Sequence, residues 1–377
     1  SYTVPDTGQT ACYDESGAIA CPEEGEAFYG QDGTYVSADP SFIDNGDGTV
    51  TDLVTGLMWQ QDPGDKTTYA EAAAGAESFT LAGYDDWRLP TIDELYSLID
   101  FGGTDPSACQ TDDGCGAIPF IDDDVFAFSY GDVESGERLI DSQWATSTIY
   151  EGTTMGGATT MFGVNFADGR IKGYPIGSVG PDGSEKEYFV VYVRDGEGYG
   201  ENDFVDNGDG TVSDLATLLM WQQDDSGEGM EWEQALEYCE ALEVGGYDDW
   251  RLPNAKELQD LVDYERGPQS TGTAAIDPVF DSTAITDEGG GVNWGFYWTG
   301  TTHASMSGGE AAVYVAFGEA LGFMTGPQGG DATLMDVHGA GAQRSDPKTG
   351  DASDYPTGHG PQGDVIRIDN LVRCVRG

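Results

Sequence analysis

Positive charge is scarce in this chain. Its 377 residues include 69 Asp and Glu but only 15 Lys and Arg, and the formal net charge is -54. Such a chain repels nucleic acid and anionic membranes, so both are excluded as partners. Only five of the fifteen cations are Lys. Adaptation to salt and an acidic binding function both explain this composition, and the sequence leaves the two open.

Long apolar runs and familiar catalytic patterns are also missing. No run of 18 apolar residues exists, so no membrane insertion is expected. The three His are scattered, and no pair of Cys has the spacing of a zinc site. No Ser/His/Asp set, phosphate loop or paired-carboxylate signature stands out. We therefore predict a protein that is not an enzyme and requires no cofactor.

A repeat dominates what is present. The stretch "FIDNGDGTVTDLVTGLMWQQD" at 42–62 returns as "FVDNGDGTVSDLATLLMWQQD" at 204–224. The stretch "GYDDWRLP" occurs unchanged at 83–90 and 246–253. Later landmarks follow in the same order, with "QWATST" opposite "YWTGTT" and "YVRDG" opposite the terminal "CVRG". The repeat predicts two homologous domains.

The repeat also sets the domain boundaries. We place domain 1 at 42–199 and domain 2 at 200–377, joined by a short polar, Gly-rich connection. Residues 1–41 precede the repeat and form an N-terminal arm tied by a disulfide. Domain 2 carries about thirty extra residues. Because they are rich in Gly, Asp and Pro, we interpret 325–364 as a long loop.

The six cysteines predict disulfides. In the repeat, Cys239 corresponds to Ala76 and Cys374 to Tyr192, so these two cysteines are present together and absent together. The other four fall into close pairs. Of fifteen connectivities, the least strained has three bridges: Cys12–Cys21, Cys109–Cys115 and Cys239–Cys374. Disulfides favour a secreted protein, extracellular or at the cell surface.

The acidic clusters have two interpretations. "DNGDG" supplies the positive φ angles of a hairpin turn, yet its carboxylates are also candidate calcium or other divalent-cation ligands. An EF-hand is excluded, because Gly46 and Gly48 occupy its third and fifth positions. Gly56 corresponds to Leu218, so we expect no positive φ there. The candidate metal ligands are Asp44, Asp47, Asp52, Asp206, Asp209, Asp214 and, in "IDDDVF", Asp122, Asp123 and Asp124.

Local patterns predict two helices in each domain. Trp232, Leu236 and Cys239 recur at helical spacing in copy two. After "WRLP", Thr91 with Glu94 has the spacing of a capping box that opens a second helix. Four arginines take repeat-equivalent places, and neighbouring aspartates are their candidate ion-pair partners: Arg88, Arg251, Arg194 and Arg376, with Asp85, Asp86, Asp248 and Asp249. A substrate role for these groups is the alternative.

The hairpin, the Cys-bearing helix, "WRLP" with its capped helix, the "W-T/S-T" strand and the terminal "VRCVRG" together resemble the Lcl C-terminal domain family. These are C-type-lectin-like modules of bacterial surface proteins, related in fold to formylglycine-generating-enzyme-like domains. The resemblance implies an α+β fold of two tandem C-type-lectin-like domains. Each would be loop-rich and disulfide-bonded, with two helices and short antiparallel strands. It further implies that first and last strands pair and that long loops carry any ligand site.

Two functional hypotheses follow. The first is a non-catalytic, secreted or cell-surface binding or adhesion protein for a glycan or protein ligand. Its candidate ligand-binding residues are Trp294, Tyr297, Trp298, His303 and His338, although aromatic residues there also fit a core. The alternative is a self-associating subunit of an extracellular filament, sheath or surface layer, docked through the arm or the Gly-rich loop and bridged by divalent cations. An oxidase of the formylglycine-generating type is disfavoured, because Cys374 is assigned to a disulfide.

Overall fold

The computed structural model describes residues 1–109, 111, 114–177, 184–325 and 330–377. These residues form twenty-two short strands and four α-helices. Within these ranges, no helix has the length and apolarity needed to cross a membrane. The chain is therefore mostly strand and loop, with three disulfides at the predicted pairs Cys12–Cys21, Cys109–Cys115 and Cys239–Cys374.

The arm folds against both domains. It contains the hairpin β1 (Cys12–Tyr13) and β2 (Ala18–Ile19) and a 3₁₀ turn at Asp32–Thr34. The Gln9 amide donates to the carbonyls of Phe101 in domain 1 and Thr302 in domain 2, at 3.1 and 2.8 Å. These contacts lie within one chain, and assembly of chains through the arm stays a prediction.

Domain 1 begins with a hairpin and closes by returning to it. Its helices α1 and α2 are Tyr69–Ala76 and Ile92–Tyr96. Its strands β3 to β11 are Phe42–Asp44, Thr49–Asp52, Leu57–Gln60, Thr67–Thr68, Gln143–Trp144, Thr160–Asn165, Arg170–Pro175, Glu187–Tyr188 and Val193–Asp195. Two 3₁₀ turns, Gly114–Gly116 and Val133–Ser135, lie between α2 and β7.

Domain 2 repeats this order with longer strands. Its helices α3 and α4 are Trp232–Glu240 and Ala255–Gln259. Its strands β12 to β22 are Phe204–Asp206, Thr211–Asp214, Met220–Gln222, Ala284–Thr286, Val292–Trp294, Phe296–Ser305, Gly308–Ala316, Leu321–Met324, Thr333–Asp336, Gln343–Pro347 and Val375–Arg376. A 3₁₀ turn at Ala352–Asp354 follows β21.

One sheet crosses the domain boundary. Its strand order is β17-β18-β21-β9-β8-β7, so three strands from each domain meet at the centre. There Gln343 of β21 pairs with Ile171 of β9 in antiparallel register. The largest core cluster likewise mixes the domains, with Trp59 and Phe162 from the first and Trp221 and Val313 from the second. The two domains therefore share a sheet and a core.

The predicted turns and helix starts are confirmed. In the "DNGDG" turns, Gly46 has φ +72° and Gly208 also has φ +72°. The capping boxes at Thr91–Glu94 and Asn254–Glu257 are both formed. Local sequence therefore determined these elements in both copies.

The arginine pairing differs in part from the prediction. Arg194 pairs with Asp86 at 2.7 Å and Arg376 with Asp249 at 2.6 Å, as the sequence indicated. Arg88 and Arg251 instead bind Glu94 and Glu257, the acidic residues of their own capping boxes: Nη2 to Oε1 is 2.5 Å in the first pair and 2.7 Å in the second. In each domain, the buried Glu of the capping box thus caps the second helix and also forms the ion pair with the arginine.

Two expectations about the strands need correction. The segment 325–364, interpreted as a loop, contains β20 and β21, while residues 326–329 lie outside the described residues. β21 reads "QRSDP", which lacks the apolar alternation that signals a strand, and neighbouring strands on both sides hold it in place. The last strand of each domain also pairs with the third, not the first, as Val193 opposite Trp59 shows.

The expectation for Leu218 is also wrong. Leu218 has φ +68° and is 77% exposed, and its repeat equivalent Gly56 has φ +75°. Both residues close the same turn, with N–H bonds to Asp214 and Asp52 at 2.9 and 3.0 Å. The turn imposes the left-handed conformation, which costs an L-residue about 1–2 kcal/mol.

Exchanging the residues of this turn should change stability in opposite directions. Leu218→Gly should raise the free energy of unfolding by about 1 kcal/mol, because it removes a strained and exposed side chain. The matched variant Gly56→Leu should lower it by a similar amount. Chemical denaturation of both variants measures the two values. A destabilised Leu218→Gly variant would contradict the assignment of strain.

Candidate functional site

A cavity of about 780 Å³ lies where the two domains meet on the polar face of the shared sheet. Both domains contribute to its lining, as does the segment after β21, with Tyr355 and Gln362. We call the ionisable residues at its base the charged floor. They are Asp105, Asp168, Arg170, Lys172, His303, Arg344 and Asp364.

The strand register explains why the cations of the charged floor are neighbours. Arg170 and Lys172 flank Ile171 on β9, and Ile171 pairs with Gln343 of β21, next to Arg344. Because side chains alternate along a strand, Ile171 and Gln343 point to the opposite face of the sheet. Ile171 belongs to the apolar core there. Of the fifteen cations of the chain, four line the cavity, and three of them come from these two paired strands.

Carboxylates balance these cations. Arg170 Nη1 lies 2.7 Å from Asp105 Oδ2 and 3.3 Å from Asp168 Oδ2. Lys172 Nζ lies 3.5 Å from Asp168 Oδ2. Arg344 pairs with Asp364. With three cations and three carboxylates, the charged floor has no formal net charge, unlike the chain around it.

Burial and pairing fix the charge states of Asp105, Asp364 and His303. Burial would raise the pKa of Asp105, but Arg170 and His303 beside it hold that pKa well below its usual range. Burial works against Asp364 in the same way, and Arg344 outweighs it and lowers the pKa. Burial lowers the pKa of His303 to about 4 and that of Lys172 to about 8. The two aspartates are therefore ionised and His303 is neutral at pH 7.

Several polar atoms of the charged floor lack a partner. Arg170 Nε, Arg344 Nη1 and Asp168 Oδ1 are buried and form no hydrogen bond with any described residue. Buried polar groups normally find a partner, because an unmade hydrogen bond costs about 1–3 kcal/mol. Two donors and one acceptor of the charged floor therefore have no partner among the described residues.

The structure separates the residues predicted to bind a ligand. Tyr297 and Trp298 are 1% and 0% exposed and belong to the core. The Tyr297 hydroxyl donates to Asp225 at 2.5 Å, and Trp298 Nε1 donates to the Met230 carbonyl at 2.8 Å. Trp294 is partly buried against the same core. Both side chains are thus buried in the core in this structure, and a ligand contact by Tyr297 or Trp298 stays a prediction.

The two predicted histidines lie at or next to the cavity. His303 lines it, with Nε2 2.7 Å from the Asp168 carbonyl oxygen and its ring stacked on Phe120. His338 is 1% exposed and places Nε2 2.7 Å from Asp364 Oδ1. His338 thus contacts Asp364 of the charged floor without lining the cavity itself.

The aspartates predicted to bind a metal accept hydrogen bonds from residues of their own turns. Asp44 accepts the Gly46 N–H at 2.8 Å, and Asp47 accepts the Thr49 hydroxyl at 2.6 Å. In copy two, Asp206 and Asp209 accept the equivalent hydrogen bonds. Asp52 and Asp214 accept backbone N–H groups of the next turn, and Asp122 accepts that of Asp124. These contacts support the turn interpretation.

In the described part of the chain, no three His, Cys, Asp or Glu side chains converge as metal ligands would. Asp44, Asp47 and Asp52 are thus not brought together, and neither are their equivalents or Asp122, Asp123 and Asp124. Calcium binding by these residues stays a prediction.

Sequence reasoning missed most of the charged floor. Its members are far apart in the chain, except for Asp168, Arg170 and Lys172, which stand at alternate positions. One signal was available, because two cations at alternate positions of "GRIKGY" are unusual in a chain with fifteen in all. Arg344 and Asp364 gave no signal, since both lie in the segment interpreted as a loop.

Comparison with known proteins assigns the chain to a family. Neither a curated protein nor a solved structure matches the chain. The model of the Lcl C-terminal domain matches twice, at residues 48–194 and 210–333, which together make up more than half of the chain. The second match ends before Arg344, Tyr355 and Asp364, so part of the cavity wall lies outside the matched segments. The chain belongs to the Lcl C-terminal domain family, with two tandem copies of the domain.

Proposed function

We propose that the protein is a non-catalytic binding protein, secreted or at the cell surface, that holds a ligand in the cavity between its two C-type-lectin-like domains. The observation that carries this proposal is the cavity itself. Its volume of about 780 Å³ is that of an ordinary small-molecule site, and three buried polar atoms of its charged floor have no partner among the described residues.

The pKa shifts of Asp105, Asp364 and His303 favour binding over acid–base catalysis by these three groups, whereas burial lowers the pKa of Lys172 to about 8, within the catalytic range. A catalytic acid or base works best with a pKa near the working pH. In the charged floor, Arg170 and Arg344 keep Asp105 and Asp364 ionised, and burial keeps His303 neutral down to a pKa of about 4. These aspartates and this histidine hold fixed charge states around pH 7, which suits a site that orients a ligand.

Location outside the cell is supported by the three disulfides, which persist in oxidising compartments. The C-type-lectin-like assignment is supported by the plan of each domain. Two helices and several short strands precede a last strand that returns to the opening sheet, as Val375 opposite Trp221 does in domain 2.

Substitution of Arg344 should weaken binding. We would screen sugars, amino acids, amines and carboxylates by thermal shift and measure the affinity of each hit by calorimetry. Arg344→Gln should weaken a hit at least about tenfold, because charge-assisted hydrogen bonds contribute about 1.5–3 kcal/mol. Arg376→Gln, which removes an exposed ion pair outside the cavity, is the matched control and should bind normally.

A second variant distinguishes a loss of binding from a loss of the fold. Glu310 lines the cavity and is exposed, so Glu310→Lys should leave the fold intact while altering the rim. Hits that bind Arg344→Gln and Glu310→Lys as tightly as the parent would place the binding site elsewhere and sink the proposal.

A further inference from the structure

Lys172 differs from the other lysines of the chain in how its amine is held. Three of the others donate to backbone carbonyls at 2.7 to 2.9 Å: Lys66, Lys256 and Lys348. Among the described residues, the Lys172 amine has one hydrogen-bond partner, Asp168, with Nζ 3.5 Å from Oδ2. Lys172 also lines the cavity of about 780 Å³. Its amine is therefore loosely held beside a space that a ligand can enter.

The repeat shows that the strand does not need an amine at this position. The stretch "VNFADGRIKGY" at 164–174 stands opposite "VAFGEALGFMT" at 315–325. Lys172 thus corresponds to Phe323, and Arg170 to Leu321, both in β19. Domain 2 builds the equivalent strand with apolar side chains, although a buried amine costs desolvation free energy. A role in the cavity accounts for the lysine where the fold does not.

The surroundings of Lys172 favour its neutral amine. Burial lowers the pKa of Lys172 to about 8, Arg344 and Arg170 act in the same direction, and Asp168 and Asp364 oppose them. About a tenth of the amine is therefore neutral at pH 7, against fewer than about one in a thousand for an ordinary lysine. A neutral amine is a nucleophile, and buried lysines beside other cations form imines with carbonyl compounds.

The cavity suits an uncharged electrophile with an apolar body. Four cations and four carboxylates line it: Arg138, Arg170, Lys172 and Arg344, with Asp105, Asp168, Glu310 and Asp364. Apolar side chains line it as well: Leu139, Ile140, Ala311, Pro347 and Ile366. An aldehyde is uncharged, and the protonated imine that it forms carries the same charge as the lysine ammonium ion. Binding of an aldehyde therefore leaves the balance of charges unchanged.

We propose that Lys172 holds a small apolar aldehyde in the cavity through a reversible covalent bond. The neutral nitrogen attacks the carbonyl carbon and forms a carbinolamine, which loses water and leaves a C=N bond. The imine nitrogen then takes a proton from solvent, and its positive charge lies beside Asp168. No oxidant or reductant is needed, and hydrolysis reverses the bond. This inference rests on the proposed function and adds the ligand class and the residue that binds it.

Trapping the imine tests the inference. We would incubate the protein with hexanal or benzaldehyde at pH 7, reduce the imine to a stable secondary amine with cyanoborohydride, and locate the adduct by peptide mass spectrometry. Lys172 should be labelled at least about tenfold faster than each of the four other lysines, because none of those four lines the cavity. Its labelling rate should saturate as the aldehyde concentration rises, since binding precedes the reaction.

Two variants and two alcohols are the controls. Lys172→Arg keeps a cation beside Asp168 but removes the nucleophile, so the saturable labelling should disappear. Lys186→Arg, at a partly exposed lysine outside the cavity, should leave the labelling of Lys172 within about twofold. Hexan-1-ol and benzyl alcohol lack the carbonyl group and should bind at least about tenfold more weakly than the aldehydes in calorimetry.

Each contrary result has a separate meaning. The labelling rates are measured on the parent protein, so a folding defect in Lys172→Arg cannot produce them. Labelling of Lys172 that is no faster than that of the other lysines, or that never saturates, overturns the covalent site. Ligands weakened by Arg344→Gln would in that case retain the proposed function. If Arg344→Gln and Glu310→Lys also weaken no ligand at all, both proposals fail.

Discussion

Removal of the Cys239–Cys374 disulfide should lower the free energy of unfolding by about 4–5 kcal/mol. The bridge joins residues 135 apart in sequence, and both cysteines are fully buried. In the chain-entropy model, a crosslink that closes so long a loop restricts the unfolded chain strongly. The double variant Cys239→Ala/Cys374→Ala, unfolded with guanidinium, measures the loss.

The Cys12–Cys21 bridge is the matched control. It closes a loop of sequence separation 9, so the same pair of alanine substitutions there should cost only about 2–3 kcal/mol. A loss below about 1 kcal/mol for the Cys239–Cys374 variant would show that packing alone holds the last strand to α3.

Domain 1 shows how that strand is held without a disulfide. Tyr192 stands where domain 2 has Cys374, and its hydroxyl donates to the Ala72 carbonyl of α1 at 2.8 Å. Its ring also packs on Phe79, with centroids 4.7 Å apart. A hydrogen bond and a ring contact thus join the same two elements that the disulfide joins in domain 2.

Sequence predicted the parts of the fold that short-range chemistry determines. The "DNGDG" turns follow from glycines at positive φ, and the second helix of each domain follows from a capping box that lies within four residues. The pairing of Cys239 with Cys374 followed from comparing the two copies. In each case the decisive residues are adjacent in sequence or are identified by comparing the two copies of the repeat.

The shared sheet could not be predicted because its central strand carries no local signal. β21 is held by long-range contacts: Asp346 accepts bonds from the backbone of Arg367 and Ile368 at 3.0 and 3.1 Å. Such a strand is stabilised by buried polar pairing instead of apolar alternation. The cavity was missed for the same reason, since the charged floor exists only when β9 and β21 pair.

The junction of α2 and α4 buries acidic residues from both domains. Gln259 donates to Asp93 at 2.8 Å, and the hydroxyl of Tyr2, from the arm, donates to Asp260 at 2.8 Å. Asn202 donates to Asp260 at 3.0 Å. Burial raises the pKa of Asp93 to about 7 and that of Asp260 to about 8, and the charge of Asp93 adds to the shift of Asp260.

These raised pKa values make stability depend on pH. In the unfolded chain both acids ionise near pH 4. Below about pH 4, the protonated forms of Asp93 and Asp260 contribute their full stabilisation to the folded protein. This stabilisation is lost as the pH rises through about 7 and 8, because both acids must then ionise in the folded protein.

The variant Asp93→Asn/Asp260→Asn should therefore gain stability over the parent as the pH rises from 5 to 8. Asparagine keeps an acceptor for Gln259, Tyr2 and Asn202 but cannot ionise, so the difference in unfolding free energy should grow by on the order of a few kcal/mol. Denaturant titrations at several pH values measure this difference.

Asp123→Asn, at an exposed carboxylate, is the control, and its difference from the parent in unfolding free energy should stay constant with pH. If the double variant also differs from the parent by a constant amount, Asp93 and Asp260 are already ionised at pH 5 in the folded protein, and the junction tolerates their charge.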